Sequence, residues 1–147
     1  MKYTIKVKSK SSVETLSLNL LNPLLFKEWM EGLSEYNIIE GESQFPGCKT
    51  ELVFRGQKGR SYRMIEKIIS VDHPNEIVTS YETSGVYNEC RNRFYKEETL
   101  SVYEMETIFD FKFPVNLYIW IFKFAFKKQT LKGMISYRNF IEDKLDI

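Results

Sequence analysis

Most of the chain consists of short runs in which apolar and polar residues alternate, a pattern that predicts β-strands. In the first run, Tyr3, Ile5 and Val7 alternate with polar neighbours, which is the period of a strand with one buried face. The later runs are separated by short turns rich in Pro, Gly, Asn and Asp, and turns of this length join antiparallel neighbours. The predicted strands span residues 2–9, 36–45, 49–57, 61–71, 76–82, 86–95 and 99–112.

Helical patterns occur after the first strand and again at the C-terminus. Ser11 and Glu14 have the spacing of a capping box, which predicts a helix that runs to about Leu21. Pro23 then opens a second short helix, because proline is tolerated at the first helical position. Beyond Pro114 the pattern predicts one long helix, the only long element available to cover a sheet face. The predicted fold class is therefore α+β, with a curved antiparallel sheet of about seven strands around the C-terminal helix.

The composition suits one packed domain over residues 1–147, since 43% of the residues are hydrophobic. The 21 basic and 20 acidic residues lack the basic excess of nucleic-acid-binding proteins, so we expect no nucleic-acid partner. The most apolar stretch, 115–126, is shorter than the roughly 18 residues of a membrane-spanning helix. The first residues also lack the apolar core of a signal peptide, so we expect a cytoplasmic protein. The sequence does not indicate the oligomeric state.

Two cysteines and one histidine limit the chemistry that the chain could support. Cys48 and Cys90 are far apart and lack CxxC or Cys/His spacing, so we expect reduced thiols, no metal and no other cofactor. Cys90 is expected to be a buried, unreactive thiol. His73 lies in a predicted turn, where a surface position is favoured over a catalytic base. No residue is therefore assigned a catalytic role.

Alternation within the strands predicts which side chains face the C-terminal helix, because the face with fewer charges is the better inner face. The inner faces are mostly apolar with a few polar groups, the usual composition of a small-molecule site. Glu66 is a carboxylate on such a face and could bind a ligand or act as an acid or base, although a partly solvated place at the sheet edge is favoured. The candidate cavity residues are Trp29, Tyr62, Met64, Glu66, Tyr81, Asn88, Cys90, Asn92, Tyr103, Met105 and Arg138.

Arg138 falls within the apolar stripe of the closing helix, beside Met134 and Ile141 on a helical wheel. Its permanent charge must find a partner or reach water. We favour an arginine whose stem packs on the sheet while its head reaches solvent. In the alternative, Arg138 points into the pocket mouth and pairs with Glu66 or with an acidic ligand.

The segment 113–128 combines aromatic side chains with lysines and has two interpretations. It could act as a lid or as a membrane-docking helix. We favour the other interpretation, in which it is the first part of the closing helix and packs on the sheet, because the sheet needs apolar cover. The residues concerned are Trp120, Phe122, Phe124, Phe126, Lys123, Lys127 and Lys128.

The order of these elements resembles the SRPBCC superfamily, which includes START-like, Bet v1-like and polyketide cyclase/dehydrase-like proteins. Asn22, Pro23 and Trp29 resemble its helix pair and following tryptophan, residues 72–74 resemble its central turn, and residues 134–142 resemble its closing helix. The resemblance implies a helix-grip fold with a cavity between sheet and helix. In this superfamily such cavities bind lipids, sterols and polyketides, some members are cyclases or hydrolases, and one branch activates a chaperone.

The preferred functional hypothesis is binding, with or without transport, of a small apolar or amphipathic ligand. A polyketide cyclase/dehydrase-like enzyme is the first alternative, and an interaction module of the chaperone-activator type is the second. No motif of a particular enzymatic branch is present, so an enzyme is the less favoured class. We expect no transmembrane segment and leave peripheral membrane contact open.

Overall fold

The largest element of the structure is a curved, seven-stranded antiparallel sheet, seen in a computed structural model that describes residues 1–117 and 119–145. Consecutive strands from the second to the seventh are neighbours, and the first strand pairs with the seventh. The predicted antiparallel meander is therefore confirmed. The strands are β1 (Lys2–Ser9), β2 (Leu33–Glu40), β3 (Lys49–Arg55), β4 (Ser61–Asp72), β5 (Glu76–Thr83), β6 (Val86–Glu97) and β7 (Leu100–Phe111).

Three α-helices complete the described fold: α1 (Val13–Asn19), α2 (Phe26–Trp29) and α3 (Lys123–Phe140). The last helix continues as a π-helical turn over Ile141–Leu145 and packs on the inner face of the sheet. The predicted long C-terminal helix and the two short helices after β1 are thus confirmed. Short 3₁₀ turns lie at Pro23–Leu25, Gln57–Gly59, Val115–Leu117 and Ile119–Phe122.

The helix after β1 is capped by Ser12 and not by the predicted Ser11. The Ser12 hydroxyl accepts a hydrogen bond from the Thr15 backbone N–H at 3.1 Å, as an N-cap residue does. Ser11 is buried instead, and its backbone N–H donates to the Ser9 hydroxyl at 3.1 Å. This contact turns the chain inward at the end of β1, so the following serine takes the capping position.

The second strand begins and ends earlier than the predicted 36–45, because the chain turns at Gly41. This glycine has φ +79°, and a Cβ placed on it would lie 2.9 Å from the Cα of Cys48. Only glycine tolerates both the left-handed backbone and so close a neighbour. Residues 41–48 therefore form the connection to β3, and the predicted strand was wrong over this part.

One end of the fold is filled by large side chains, and we call it the closed end: α1, α2 and residues 134–141. Tyr137 is completely buried there, and its hydroxyl donates to the Leu16 carbonyl at 2.6 Å. The Tyr137 ring also packs edge-on against Trp29, with 4.9 Å between the ring centroids. These contacts tie both short helices to the C-terminal helix.

Candidate functional site

A cavity of about 470 Å³ lies between the inner face of the sheet and the C-terminal helix. Its wall is mainly aromatic, methionine and leucine side chains, as the alternation within the strands predicted. Nine of the eleven predicted residues line this one space, and their contact with a ligand stays a prediction. They are Trp29, Tyr62, Met64, Tyr81, Asn88, Cys90, Asn92, Tyr103 and Met105.

Further lining residues escaped the sequence prediction although a pattern marks some of them. Phe126, Gln129, Thr130 and Gly133 share one face of α3, and their helical spacing could have identified them. In β3, alternation alone would have paired Leu52 with Phe54 on the inner face, so their omission was avoidable. The remaining lining residues are Leu20, Met30, Thr83, Val86, Phe109 and Met134.

The polar groups in the cavity wall are largely bonded to one another. The amide of Asn88 donates to the Thr107 hydroxyl at 2.6 Å, and the Cys90 thiol donates to the Asn88 amide oxygen at 3.0 Å. Deeper in the sheet, the Tyr103 hydroxyl donates to the Asn92 amide oxygen at 2.8 Å. Because these groups are satisfied within the protein, they suit a mainly apolar ligand. The buried indole N–H of Trp29, in the same wall, has no hydrogen-bond partner among the described residues and is a donor available to a ligand.

Neither cysteine is placed for nucleophilic chemistry. Both are free and buried. Burial, opposed by a hydrogen bond with Thr107, raises the pKa of Cys90 to about 12. The thiol therefore stays protonated at neutral pH, and a protonated thiol is a poor nucleophile. His73 is exposed in the β4–β5 turn, where its Nδ1 hydrogen-bonds with the Ser17 hydroxyl.

Glu66 is buried behind the cavity wall and is only 3% exposed, so the favoured interpretation as a partly solvated edge residue was wrong. Glu66 lies on β4, the third strand from one edge of the seven-stranded sheet. Because β3 and β5 flank it, β4 is not an edge strand. The cross-strand neighbours of Glu66 are Thr50 and Tyr81. Glu66 does not itself line the cavity, whereas Tyr81 does.

Burial controls the charge of the Glu66 carboxyl group. Loss of hydration raises the pKa of Glu66 to about 7, although a hydrogen bond from Tyr81 acts in the opposite direction. The same burial raises the pKa of Tyr81 well above its ordinary value, so this hydroxyl keeps its proton. Glu66 and Tyr81 thus form a pair in which both side chains can carry a proton near neutral pH, and Tyr81 is the one that reaches the cavity.

Arg138 lies outside the cavity, which corrects the prediction that it belongs to the lining set. Its guanidinium donates to the side-chain oxygen of Asn139 at 3.0 and 3.1 Å and to the Lys8 carbonyl at 3.4 Å. The buried stripe of α3 runs through residues 134, 137 and 141, and Arg138 falls on its flank beside β1. The pairing with Glu66 is therefore wrong, and the arginine sits at the side of the sheet as favoured.

The cavity opens at the end of the fold opposite Tyr137, which we call the open end: residues 56–60, the β5–β6 turn at 84–85 and the segment 112–124. The strand register brings these parts together, because Val86 pairs with Phe111 and Ile65 pairs with Glu82. Tyr62 stands at the rim and is 49% exposed.

Most of the segment 113–128 does not pack on the sheet, so the favoured interpretation was wrong for its first part. Phe126 does pack, with ring centroids 5.3 Å from Phe109 and 5.8 Å from Phe111. Phe113 and Phe124, in contrast, are 78% and 86% exposed. The prediction for the Trp120 side chain lies outside what the structure describes.

The described residues contain neither a metal-binding group of side chains nor a membrane-spanning helix. Within 1–117 and 119–145, no three histidine, cysteine or carboxylate side chains are grouped so that they could hold a metal ion. In the same part of the chain, no helix has the length and apolar character needed to cross a membrane.

The chain matches no family model and no curated protein by sequence. Solved structures do resemble it. The crystal structure of Ara h 8.0201 is 11% identical and superposes with a TM-score of 0.80, covering 98% of this chain and 99% of that one. The di-domain ARO/CYC StfQ from the steffimycin biosynthetic pathway is 10% identical, with a TM-score of 0.78 over 99% of this chain and 52% of that one.

A third similar structure is the protein of unknown function SA2116 from Staphylococcus aureus. It is 14% identical, with a TM-score of 0.71 over 100% of this chain and 98% of that one. At these identities the likeness establishes the fold alone. The chain has the helix-grip fold of the Bet v1-like and polyketide cyclase-like proteins, as the sequence resemblance predicted.

Proposed function

We propose that the protein binds a small apolar or amphipathic ligand in the cavity between the sheet and α3. One observation carries this proposal: a space of about 470 Å³ is walled mainly by apolar side chains, and the polar groups of Asn88, Asn92 and Tyr103 in that wall have protein partners. Ligand sites of drug-sized molecules typically occupy about 300–1,000 Å³ and have this composition. Filling the space with an apolar molecule would remove apolar surface from water on both partners.

Gly133 offers a way to fill the cavity without disturbing its wall. It lines the cavity from α3, and a Cβ placed on it meets no heavy atom within 4 Å. A phenylalanine at this position would extend into the space that the ligand needs. Gly133→Ala is the matched control, because it makes the same backbone change and adds only one methyl group.

The test is a displacement titration with an environment-sensitive fluorescent probe and a panel of fatty acids, sterols and aromatic polyketides. At least one class should displace the probe from the wild-type protein, and EDTA should leave its affinity unchanged. Gly133→Phe should weaken that ligand by at least about tenfold, while Gly133→Ala should stay within about twofold. The proposal fails if no class binds, or if Gly133→Phe binds as well as the alanine variant while remaining folded.

A cyclase/dehydrase-like enzyme is the second candidate, and the Glu66–Tyr81 pair favours it. A carboxyl group whose pKa is about 7 can give or take a proton near neutral pH, and Tyr81 could relay its effect to a carbonyl in the cavity. An enzyme should convert a linear poly-β-ketone into an aromatic product, detected by absorbance, and Glu66→Gln should abolish most of that turnover. A pure binding protein should form no product above the uncatalysed rate.

The remaining expectations follow from the binding proposal. Two free thiols are compatible with a reducing compartment, and we place the protein in the cytoplasm. The chaperone-activator hypothesis would fit a cavity filled by side chains better than an open one. Neither the ligand class nor transport is distinguished by the fold, which is why the panel is broad.

A further inference from the structure

Exposed apolar side chains gather at the open end of the fold, on the chain between β7 and the middle of α3. Phe113, Ile121, Phe122 and Phe124 are each more than half exposed, as is Leu117. Scattered apolar residues on a surface need no explanation, but here five exposed apolar side chains are concentrated within twelve residues of the chain. We call these five side chains the apolar rim.

The same part of the chain carries a large excess of positive charge. Residues 112–133, which stop short of the closed end, contain five basic side chains and no carboxylate, although the whole chain is almost balanced, with 21 basic and 20 acidic residues. The remainder of the protein is therefore net negative. Among the ion pairs of the described residues, this stretch contributes only Lys132, which pairs with Glu31.

A second basic segment faces the cavity mouth from the other side. Arg55 at the end of β3 and Lys58 and Arg60 in the β3–β4 connection are all exposed. The strand register places this connection at the open end, because Phe54 pairs with Tyr62 next to it and both line the mouth. The ranges that define the open end contain no acidic residue, and the nearest acidic residues along the chain are Glu82 and Asp110.

An open groove of about 440 Å³ runs beside the apolar rim, between β1 and α3. Ile5, Phe124 and Leu131 supply apolar surface to it, and Lys6, Lys127 and Lys128 supply positive charge. Lys6 also lies 3.7 Å from a carboxylate oxygen of Glu104, whereas Lys127 and Lys128 form no ion pair with the residues that the structure describes. Apolar surface beside cations matches the boundary between acyl chains and anionic headgroups.

We propose that the open end docks on the surface of a lipid bilayer that contains anionic lipids, with the apolar rim inserted between headgroups and the lysines on the headgroup phosphates. The cavity mouth then faces the bilayer. Docking does not depend on the proposed function, whereas the corollary does rest on it: the ligand of the cavity would be a membrane-dissolved amphiphile that enters directly from the lipid.

Charge favours a bilayer over a second copy of the chain as the occupant. A symmetric dimer through the open end would place the same patch on both sides of the interface and bring two lysine-rich surfaces together. Like charges facing each other across an interface oppose association. An anionic bilayer instead complements the lysines and buries the apolar rim.

Flotation of the full chain with vesicles tests the proposal. Vesicles of phosphatidylcholine alone are compared with vesicles of phosphatidylcholine and phosphatidylglycerol. The wild-type protein should bind the anionic vesicles at least about tenfold more strongly, and added salt should weaken this binding because it screens the lysines. Equal binding to both vesicles, or none to either, would overturn the proposal.

Two pairs of variants separate the apolar and electrostatic parts. Phe122→Ser with Phe124→Ser removes apolar surface, and Lys127→Glu with Lys128→Glu reverses charge. Each should lower binding to anionic vesicles by at least about tenfold. Phe45→Ser and Lys96→Glu are the matched controls, because both residues are exposed at the opposite end of the sheet, and they should change binding by less than about twofold.

The outcomes remain distinguishable from a failure of the proposed function. Gly133→Phe protein should still bind anionic vesicles, since its change lies inside the cavity and not on the rim. Circular dichroism confirms that each variant is folded. If light scattering finds a dimer that the rim variants dissociate, and vesicles do not bind, the surface is a subunit interface and the docking proposal is wrong.

Discussion

The two halves of α3 belong to one continuous helix and have opposite environments. In the C-terminal half, Met134 and Tyr137 are almost inaccessible to solvent, as is Ile141 just beyond it. In the N-terminal half, Phe124 and Leu131 are exposed, and Phe126 alone reaches the aromatic side chains of β7. The difference matches the contacts of the short helices, because Leu16 of α1 and Trp29 of α2 both contact Tyr137 in the C-terminal half.

The start of α3 also lacks the features that stabilise a helix N-terminus. Phe122 occupies the capping position and offers no side-chain hydrogen bond, and the first turn has no acidic residue. Lys123 instead places positive charge where the helix dipole is already positive. The closed end is therefore stabilised by packing and hydrogen bonds. The open end has a basic and apolar surface instead, and its residues stabilise the helix N-terminus less well.

The largest expected effect contrasts buried Tyr137 with exposed Phe124. Tyr137→Ala should lower the free energy of unfolding by about 3–5 kcal/mol, because it leaves a cavity and an unpaired Leu16 carbonyl. Tyr137→Phe should cost about 1 kcal/mol, the loss of one hydrogen bond. Phe124→Ala should change stability by less than about 0.5 kcal/mol. Urea denaturation measures the free energy of unfolding of all three variants. Similar losses for Phe124→Ala and Tyr137→Ala would contradict the difference between the two halves of α3.

The next prediction tests whether the middle of the fold, between the two ends, excludes water as completely as the closed end does. Burial raises the pKa of Glu66 from 4.5 to about 7, so the folded protein binds this proton more tightly than the unfolded chain does. Stability from this group is therefore fully present below about pH 4.5 and is lost as the pH rises through about 7. The loss should be about 3 kcal/mol, because a difference of one pKa unit is worth about 1.4 kcal/mol.

Comparison of the wild-type protein with Glu66→Gln isolates this contribution. The variant cannot ionise at this position, so its stability relative to the wild type should rise between about pH 5 and about pH 8. Denaturant unfolding across that range measures the difference, and Glu35→Gln, at an exposed position, serves as the control. Parallel pH profiles for the wild type and Glu66→Gln would mean that water reaches the carboxyl group.

Gly133 lies at the junction of the two halves of α3, and its replacement should stabilise the helix modestly. Gly133→Ala should raise the free energy of unfolding by about 0.5–1 kcal/mol, because alanine loses less backbone entropy in a helix and its methyl group meets no atom here. Thermal unfolding followed by circular dichroism measures the gain. A loss of stability would indicate that the two halves need a flexible joint.

The smallest expected effect concerns the unfavourable charge at the start of the helix. Lys123→Glu should raise the free energy of unfolding by about 0.3–1 kcal/mol, because a negative charge there interacts favourably with the helix dipole. The same change should weaken binding to anionic vesicles. A variant that gained stability without losing vesicle binding would show that Lys123 does not contribute to membrane docking, and an unchanged stability would contradict the unfavourable interaction with the helix dipole. Lys144→Glu, in the terminal π-helical turn, is the control.

The strand pattern could be predicted from the sequence because alternation assigns each side chain to one of two faces. Cys90, Asn92 and Tyr103 were placed on the inner face in this way, and all three line the cavity. The error at β2 came from a turn, since nothing in the local pattern distinguishes Gly41 as a strand end until Cys48 is seen beside it. Element types were thus more predictable than element ends.

The sequence by itself determined the antiparallel meander, the closing helix and the faces that line the cavity, because strand and helix periods are local properties of the chain. The tertiary structure decided how deeply Glu66 is buried, where Arg138 finds its partners and which half of α3 is covered. Each of these depends on the position of a distant element: strands on both sides of β4, the end of β1, and two short helices that reach only one end. A periodic pattern says which side chains share a face, but not which neighbour, if any, comes to cover it.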